Sequence, residues 1–319
     1  MKPLRIAVVG VGRMGRLHLR KVAELRQDGC QVVLAGAVDS DPERRREAAA
    51  EGGAPVFAHH RELAGVADAA IVAVPTVSHY TIADDLLRAG LDVLVEKPLA
   101  ADLDEAGRLL ELARSAGRVL QVGHLERFNP ALRAVAGFMH RPLFVEAHRL
   151  GPFPERSTDV DVVRDLMIHD IDIVQQLVGS EPQRIEAVGV PVLTDKVDIA
   201  NARLTFPGGC VANLTASRVS PTPMRKLRFF QSDGYFSLDL LGHAVVIIRR
   251  HPGRGGEGPR IEVEKLDFDP EDALLAQLRA FVSAVRGRVD PVVPAGEALS
   301  ALRTALRVVE AMPDPEALL

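Results

Sequence analysis

Residues 4–9 (LRIAVV) form a short apolar run rich in β-branched side chains that stops at Gly10. Such a run reads as a parallel strand buried on both faces. Gly10-Val11-Gly12-Arg13-Met14-Gly15 follows at once, and from there Met14, Leu17, Val22 and Leu25 recur near helical spacing, which predicts a helix from about residue 14 to residue 27. A glycine-rich turn between a buried strand and a helix restricts the chain to few folds, because it opens a dinucleotide-binding βαβ unit. Gly10 permits the tight turn, Gly12 lets the backbone approach a pyrophosphate, and Gly15 lets helix and strand pack closely. The N–H groups at the helix start face the phosphates, so Arg13 and Met14 join the three glycines as cofactor-binding positions.

The rhythm continues beyond the first helix. Strands are predicted at 31–38, 69–74, 91–95 and 119–122, with helices starting at Pro42 and spanning 80–89 and 103–116. Alternation sustained this long implies a doubly wound Rossmann-type parallel sheet. After Gly123 it breaks. A helix at 130–139, a strand at 143–148 and a helix at 160–178 precede a series of strands. Ala200, Ala202, Leu204 and Phe206 alternate with polar residues, Pro207-Gly208-Gly209 turns the chain, and 211–218 alternates again, which is a hairpin with one buried face. Strands at 227–231, 235–240 and 244–250 extend it, Pro252–Pro259 reads as a flexible surface loop, and helices near 270–286 and 295–311 end the chain. The expected class is α/β: a Rossmann domain over residues 1–123, then an α+β domain over 124–319 built on a large, mostly antiparallel open sheet.

Composition narrows the partners. With 39 basic and 43 acidic residues the net charge is −4, and aromatics are 4% with no Trp, so nucleic acid is not an expected partner. No apolar run approaches the roughly 18 residues of a membrane span, and residues 1–10 read as a strand rather than a signal peptide. A cytoplasmic location is expected. Cys30 and Cys210 lie in separate apolar runs and read as buried thiols.

Several polar residues stand where chemistry is expected. Asp39 ends the second strand, roughly 20 residues past the loop, where an acidic residue bonds the adenosine ribose 2′-OH, with Ser40 beside it. A carboxylate there repels a 2′-phosphate, which favours NAD over NADP. Two alternatives stay open: Asp39 is a turn residue before Ser40-Asp41-Pro42, or Arg44, Arg45 and Arg46 serve a 2′-phosphate. Glu96-Lys97-Pro98 ends another strand, at the carboxyl edge where doubly wound sheets bind ligands; Lys97 either reaches the nicotinamide region or is a solvated strand-end lysine. Asp165, His169 and Asp172 share one face of the 160–178 helix, opposite Leu166, Met167, Ile173, Val174 and Leu177, so the stripe is expected outside the core. It is either a solvated face or a general base, His169, with Asp165 binding substrate or orienting the ring. Two Asp and one His lack a fourth ligand, so no metal is expected.

AVVGVGRMGRLHLR at the N-terminus, DVLVEKPLA at the strand end and DLMIHDIDIVQQLVG on the helix together resemble the Gfo/Idh/MocA oxidoreductases, in the same order over residues 4 to about 250. The resemblance implies a catalytic set of Lys97, His169 and Asp165, with all three also touching substrate. It implies Thr76 and His79 along the cofactor, Glu96 and Lys97 near the nicotinamide ribose, and a cis peptide before Pro98. VGHLERFNP and DVVRDLMIHDIDIV are similar to members that oxidise a ring hydroxyl of UDP-linked amino sugars, which would bring Arg127 and Asn129 to the sugar or its phosphates. Val162-Val163-Arg164 and Gln231-Ser232-Asp233-Gly234 depart from the family pattern, so dehydrogenation of a free polyol of inositol type, or a non-catalytic sugar or NAD sensor, stays open. The family's second sheet implies a homodimer or homotetramer.

Overall fold

A computed structural model describes residues 2–153, 160–253 and 258–313 of the chain. They form two compact units: residues up to Leu125 with Asp272–Leu299, and Glu126–Glu271 with the chain from Ser300 onward.

The first unit is a six-stranded sheet of β1 (Leu4–Val9), β2 (Val32–Val38), β3 (Val56–Phe57), β4 (Ala69–Val72), β5 (Asp92–Val95) and β6 (Leu120–Val122), in the order β3-β2-β1-β4-β5-β6. All five pairings are parallel. Every residue of β4 and β5 is buried, as continuous apolar runs require of a sheet covered on both faces. The helices are α1 (Arg13–Gln27), α2 (Pro42–Gly52), α3 (His79–Arg88) and α4 (Leu103–Ser115). Asp41 caps α2 by accepting the Glu43 N–H at 2.8 Å, and Asp102 caps α4 through Glu105 at 2.8 Å. The chain builds outward from β1 to β3, then crosses to β4 and builds the other way. Gly10 and Ala73-Val74-Pro75 therefore lie at the switch point, where open parallel sheets leave a crevice.

The boundary near residue 123 misses one return of the chain. Helix α7 (Ala273–Gly287) belongs to the first unit. Its Leu278, Phe281 and Val285 join the core formed by Leu19, Val22 and Leu25 of α1, and Lys21 pairs with Asp272 at 2.6 Å where α7 begins.

The second unit holds an eight-stranded sheet: β7 (Phe144–Leu150), β8 (Arg184–Val190), β9 (Ile199–Thr205), β10 (Val211–Ser217), β11 (Met224–Gln231), β12 (Gly234–Asp239), β13 (Ala244–His251) and β14 (Arg260–Asp267), in the order β14-β13-β12-β11-β7-β10-β9-β8. Only β7–β10 is parallel. The expected hairpin is β9–β10, turned by Gly208 and Gly209 at positive φ. The two edge strands, β8 and β14, and the two-residue β3 were not read from sequence. Within 252–259, residues 254–257 lie outside the described residues. Helix α5 (Pro130–Val135) is shorter than expected. The 160–178 helix is composite, a π-helical turn at Val163–Met167 running into α6 (Ile168–Val178). The last helix is α8 (Ala295–Glu310).

Candidate active site

The glycine loop is shaped by contacts that only glycine allows. Gly10 has φ +85°, and a Cβ there would meet Ala73 O at 2.6 Å; a Cβ on Gly15 would collide with Gly10 O. Gly12 faces open space. It lines a cavity of about 730 Å³ with Gly10, Asp39, Ser40, Pro75 and Val77, all at the switch point of the first sheet. These residues fit a dinucleotide: the cradle is free of side chains where a pyrophosphate approaches α1, and a carboxylate stands at the end of β2.

Asp39 does more than wait for a ribose. It is 8% exposed, and its two oxygens accept the N–H groups of Val11 and Asp41, each at 2.9 Å. The carboxylate thus ties the glycine loop to the β2–α2 turn, so the turn role and a ribose role are compatible: a carboxylate has lone pairs beyond those two bonds. Arg45 donates to the carbonyls of Asp39 and Ser40 at 2.6 and 3.0 Å, so it braces the same turn. Arg44 lies 3.9 Å from Asp39 and, with Arg13, Arg16 and Arg20, borders a second cavity of about 570 Å³ beside Gly12.

Glu96-Lys97-Pro98 follows β5, and the Lys97–Pro98 peptide is cis. Lys97 is half-buried. Glu96 Oε1 is 2.7 Å from Nε2 of His18, a residue of α1 that is fully buried. Sequence reasoning passed over His18. The signal was present: His18 lies on the stripe of α1 with Gly15, Leu19, Val22 and Leu25, all buried, and a buried imidazole needs a polar partner. Thr76 sits in a short 3-10 turn (Thr76–Ser78) whose Val77 and Ser78 line the larger cavity. His79 is the first residue of α3. It is 1% exposed, with Nδ1 2.8 Å from Pro98 O and Nε2 2.9 Å from Val74 O. Burial lowers its pKa, against the pull of the two carbonyls and of Glu96.

In the second unit, Asp165 lies in the π-helical turn and His169 at the start of α6, both half-buried. Asp172 departs from the stripe. It is 2% exposed and receives Nε and Nη2 of Arg127 at 2.6 and 2.8 Å. The helix is buried on nearly all sides, so the side opposite its apolar residues is core as well. Arg127 is committed to Asp172, while Asn129 caps α5 by accepting the Ala131 N–H at 3.0 Å and donates to Leu240 O at 3.0 Å. Both are buried, at 7% and 6% exposed. Asp170 is likewise buried, held by Arg149 of β7 at 2.8 and 3.0 Å; Arg149 also bonds Glu126 at 2.8 Å. Burial weighs against the Arg149 charge, but Asp170 and Glu126 outweigh it and hold its pKa above the usual arginine range. Two ion pairs thus fix α6 from below, on either side of Ile171. Among the described residues no group of His, Cys, Asp or Glu is arranged to hold a metal.

Residues 4–124 match the oxidoreductase family with an NAD-binding Rossmann fold, and residues 133–237 match the GFO/IDH/MocA C-terminal domain. UDP-N-acetylglucosamine 3-dehydrogenase of Acidithiobacillus ferrooxidans is 40% identical over 284 residues, 88% of each chain. The chain belongs to the Gfo/Idh/MocA oxidoreductases. Within this family, myo-inositol dehydrogenase Hyg17 of Streptomyces leeuwenhoekii is 32% identical over 312 residues, covering 90% of each chain. The solved structure of the Acidithiobacillus enzyme superposes with a TM-score of 0.89 at 36% identity, covering 98% of both chains. A scyllo-inositol dehydrogenase from Lactobacillus casei, 19% identical, shares the fold with a TM-score of 0.80 over 98% of this chain and 97% of that one. As in other Gfo/Idh/MocA proteins, the first unit is an NAD-binding Rossmann domain.

Proposed function

We propose that this oxidoreductase oxidises the C3 hydroxyl of a UDP-linked amino sugar to a ketone, with NAD as the hydride acceptor. The observation that carries it is 40% identity across 88% of both chains to a UDP-N-acetylglucosamine 3-dehydrogenase, against 32% to an inositol dehydrogenase. Gly10, Gly12, Arg13, Met14 and Gly15 hold the dinucleotide phosphates, and Asp39 and Ser40 its adenosine ribose. Bound NAD supplies the acceptor for the hydride leaving the carbinol carbon. Lys97 or His169 takes the hydroxyl proton, and Asp165 hydrogen-bonds the sugar. The π-helical turn ahead of His169 supports this placement, because such turns are rare and frequent at functional sites.

The free thiols Cys30 and Cys210 suit the cytoplasmic location that belongs to this proposal. So does the absence, among the described residues, of any helix long and apolar enough to cross a membrane. Assembly through the second sheet is part of it too. Val211, Phe144, Phe230, Tyr235, Ile248 and Val263 stand opposite one another in successive strands, with the rings of Phe230 and Tyr235 4.9 Å apart. None of the six is fully buried, and Val263 is 57% exposed.

Thermal shift tests the ligand assignment, since a ligand that binds only the native state at about a hundred times its Kd adds roughly 2.7 kcal/mol. NAD and UDP-N-acetylglucosamine should each raise Tm, and NADP, myo-inositol and N-acetylglucosamine less. A larger shift with myo-inositol than with the UDP-sugar would overturn the substrate.

A further inference from the structure

Lys97 has two chain neighbours, and each is held by a buried histidine from a different helix. On one side, His18 of α1 places Nε2 2.7 Å from Glu96 Oε1. On the other, His79 at the start of α3 spans the carbonyls of Pro98 and Val74 at 2.8 and 2.9 Å. The space around Glu96 is closed further: its N–H donates to Val72 O at 2.9 Å, and a Cβ on Gly123 would come within 2.8 Å of Glu96 Oε2. Both imidazoles occupy positions an apolar side chain would fill at lower cost, since a buried ring must be desolvated and its nitrogens satisfied. On α1 the neighbours of His18 along the stripe are Leu19, Val22 and Leu25. An imidazole kept there has a polar task, and the bond to Glu96 supplies it.

We infer that His18 and His79 are a pair of positioning residues that aim Lys97. His18 anchors the carboxylate before the lysine to the helix that carries the glycine loop. His79, its ring wedged between the carbonyls of Pro98 and Val74 and donating to one of them, holds the residue after the lysine beside the stretch that follows β4. Together they hold the residues on either side of Lys97, so the ammonium is presented at a single place relative to the cofactor cradle. The inference rests on the proposal that Lys97 acts on the substrate hydroxyl. Misplacement by about 1 Å costs on the order of a hundredfold in rate, so the pair would act on turnover more than on binding.

The experiment compares His18→Leu, His18→Gln, His79→Leu and Lys97→Ala, singly and with each His→Leu change combined with Lys97→Ala. Steady-state turnover, NAD affinity and Tm are read for each. The Gln amide can still donate to Glu96, so H18Q keeps most of the activity that H18L loses. H18L and H79L lower kcat by about ten- to a hundredfold, with KM and NAD affinity within about threefold of the parent. In the K97A background neither His→Leu change lowers residual turnover further, because the group being aimed is gone. H18L and H79L at parental kcat while K97A is inactive would overturn the inference and leave the role of Lys97 standing. So would losses that multiply in the K97A background, or failure of H18Q to recover activity lost in H18L. Parental turnover in K97A would instead remove the role of Lys97, and this inference with it.

Discussion

Asp39 shows how one side chain serves structure and specificity together. Its hydrogen bonds to the N–H groups of Val11 and Asp41 set the shape of the glycine loop before any ligand arrives. The same carboxylate repels a 2′-phosphate, partly offset by Arg44 at 3.9 Å. Asp39→Ala should weaken NAD binding and move the NAD:NADP affinity ratio toward NADP by about tenfold or more, a change of roughly 1.4 kcal/mol, measured by fluorescence titration. An unchanged ratio would remove Asp39 from the specificity role. At this scale the sequence made the loop legible because glycine function depends on local geometry: the requirements of Gly10 and Gly15 arise from atoms next to them. It did not show the bonds of Arg127 and Asn129, because their partners, Asp172 and the Leu240 carbonyl, are distant in the chain and no local pattern encodes the pairing.

Elements were legible in proportion to how fully their pattern is satisfied from within. The buried runs of β1, β4 and β5 and the stripe of α1 are such cases. Strands β8 and β14 were not, because edge strands bury one face thinly and carry charge: Ile261 and Val263 of β14 are more than half exposed, amid Arg260, Glu262, Glu264 and Lys265. The π-helical turn escaped for another reason: at five residues, Val163–Met167, it is too short for its longer period to show in the apolar spacing. Below the start of β9, Asp198 accepts the N–H groups of Val192, Leu193 and Thr194 and the Arg218 Nε at 2.7 Å. Burial opposes its charge, but those donors outweigh it and hold the carboxyl well below the usual carboxylate range. A depressed folded-state pKa stabilises the fold above the ordinary carboxylate value of about 4, and that contribution is lost as pH falls through and below it. Asp198→Asn should therefore cost on the order of 3 kcal/mol at neutral pH. The gap to the parent should narrow at about pH 3, as read from urea denaturation at both pH values. A gap that stays constant would show that the charge of Asp198 is not what stabilises the β8–β9 turn.

At the scale of the molecule, the parallel sheet followed by a mostly antiparallel one was readable because the rhythm of the chain changes at Gly123. The return of α7 to the first unit was not, because an amphipathic helix does not state which core it will join. The row from Val211 to Val263 gives the proposed assembly a local test by size-exclusion light scattering: the parent should run as an oligomer and Phe230→Glu as a monomer, and a monomeric parent, or an unchanged mass in the variant, would contradict assembly through this face. Turnover tests the account most directly. The purified protein, NAD and UDP-N-acetylglucosamine should yield NADH and a 3-keto nucleotide sugar. The kcat/KM should exceed that for N-acetylglucosamine or myo-inositol by at least about tenfold, the ratio that 1.4 kcal/mol of transition-state binding to the nucleotide provides. Faster NADH formation from myo-inositol or the free sugar, or binding of NAD with no NADH from any of the three, would contradict it.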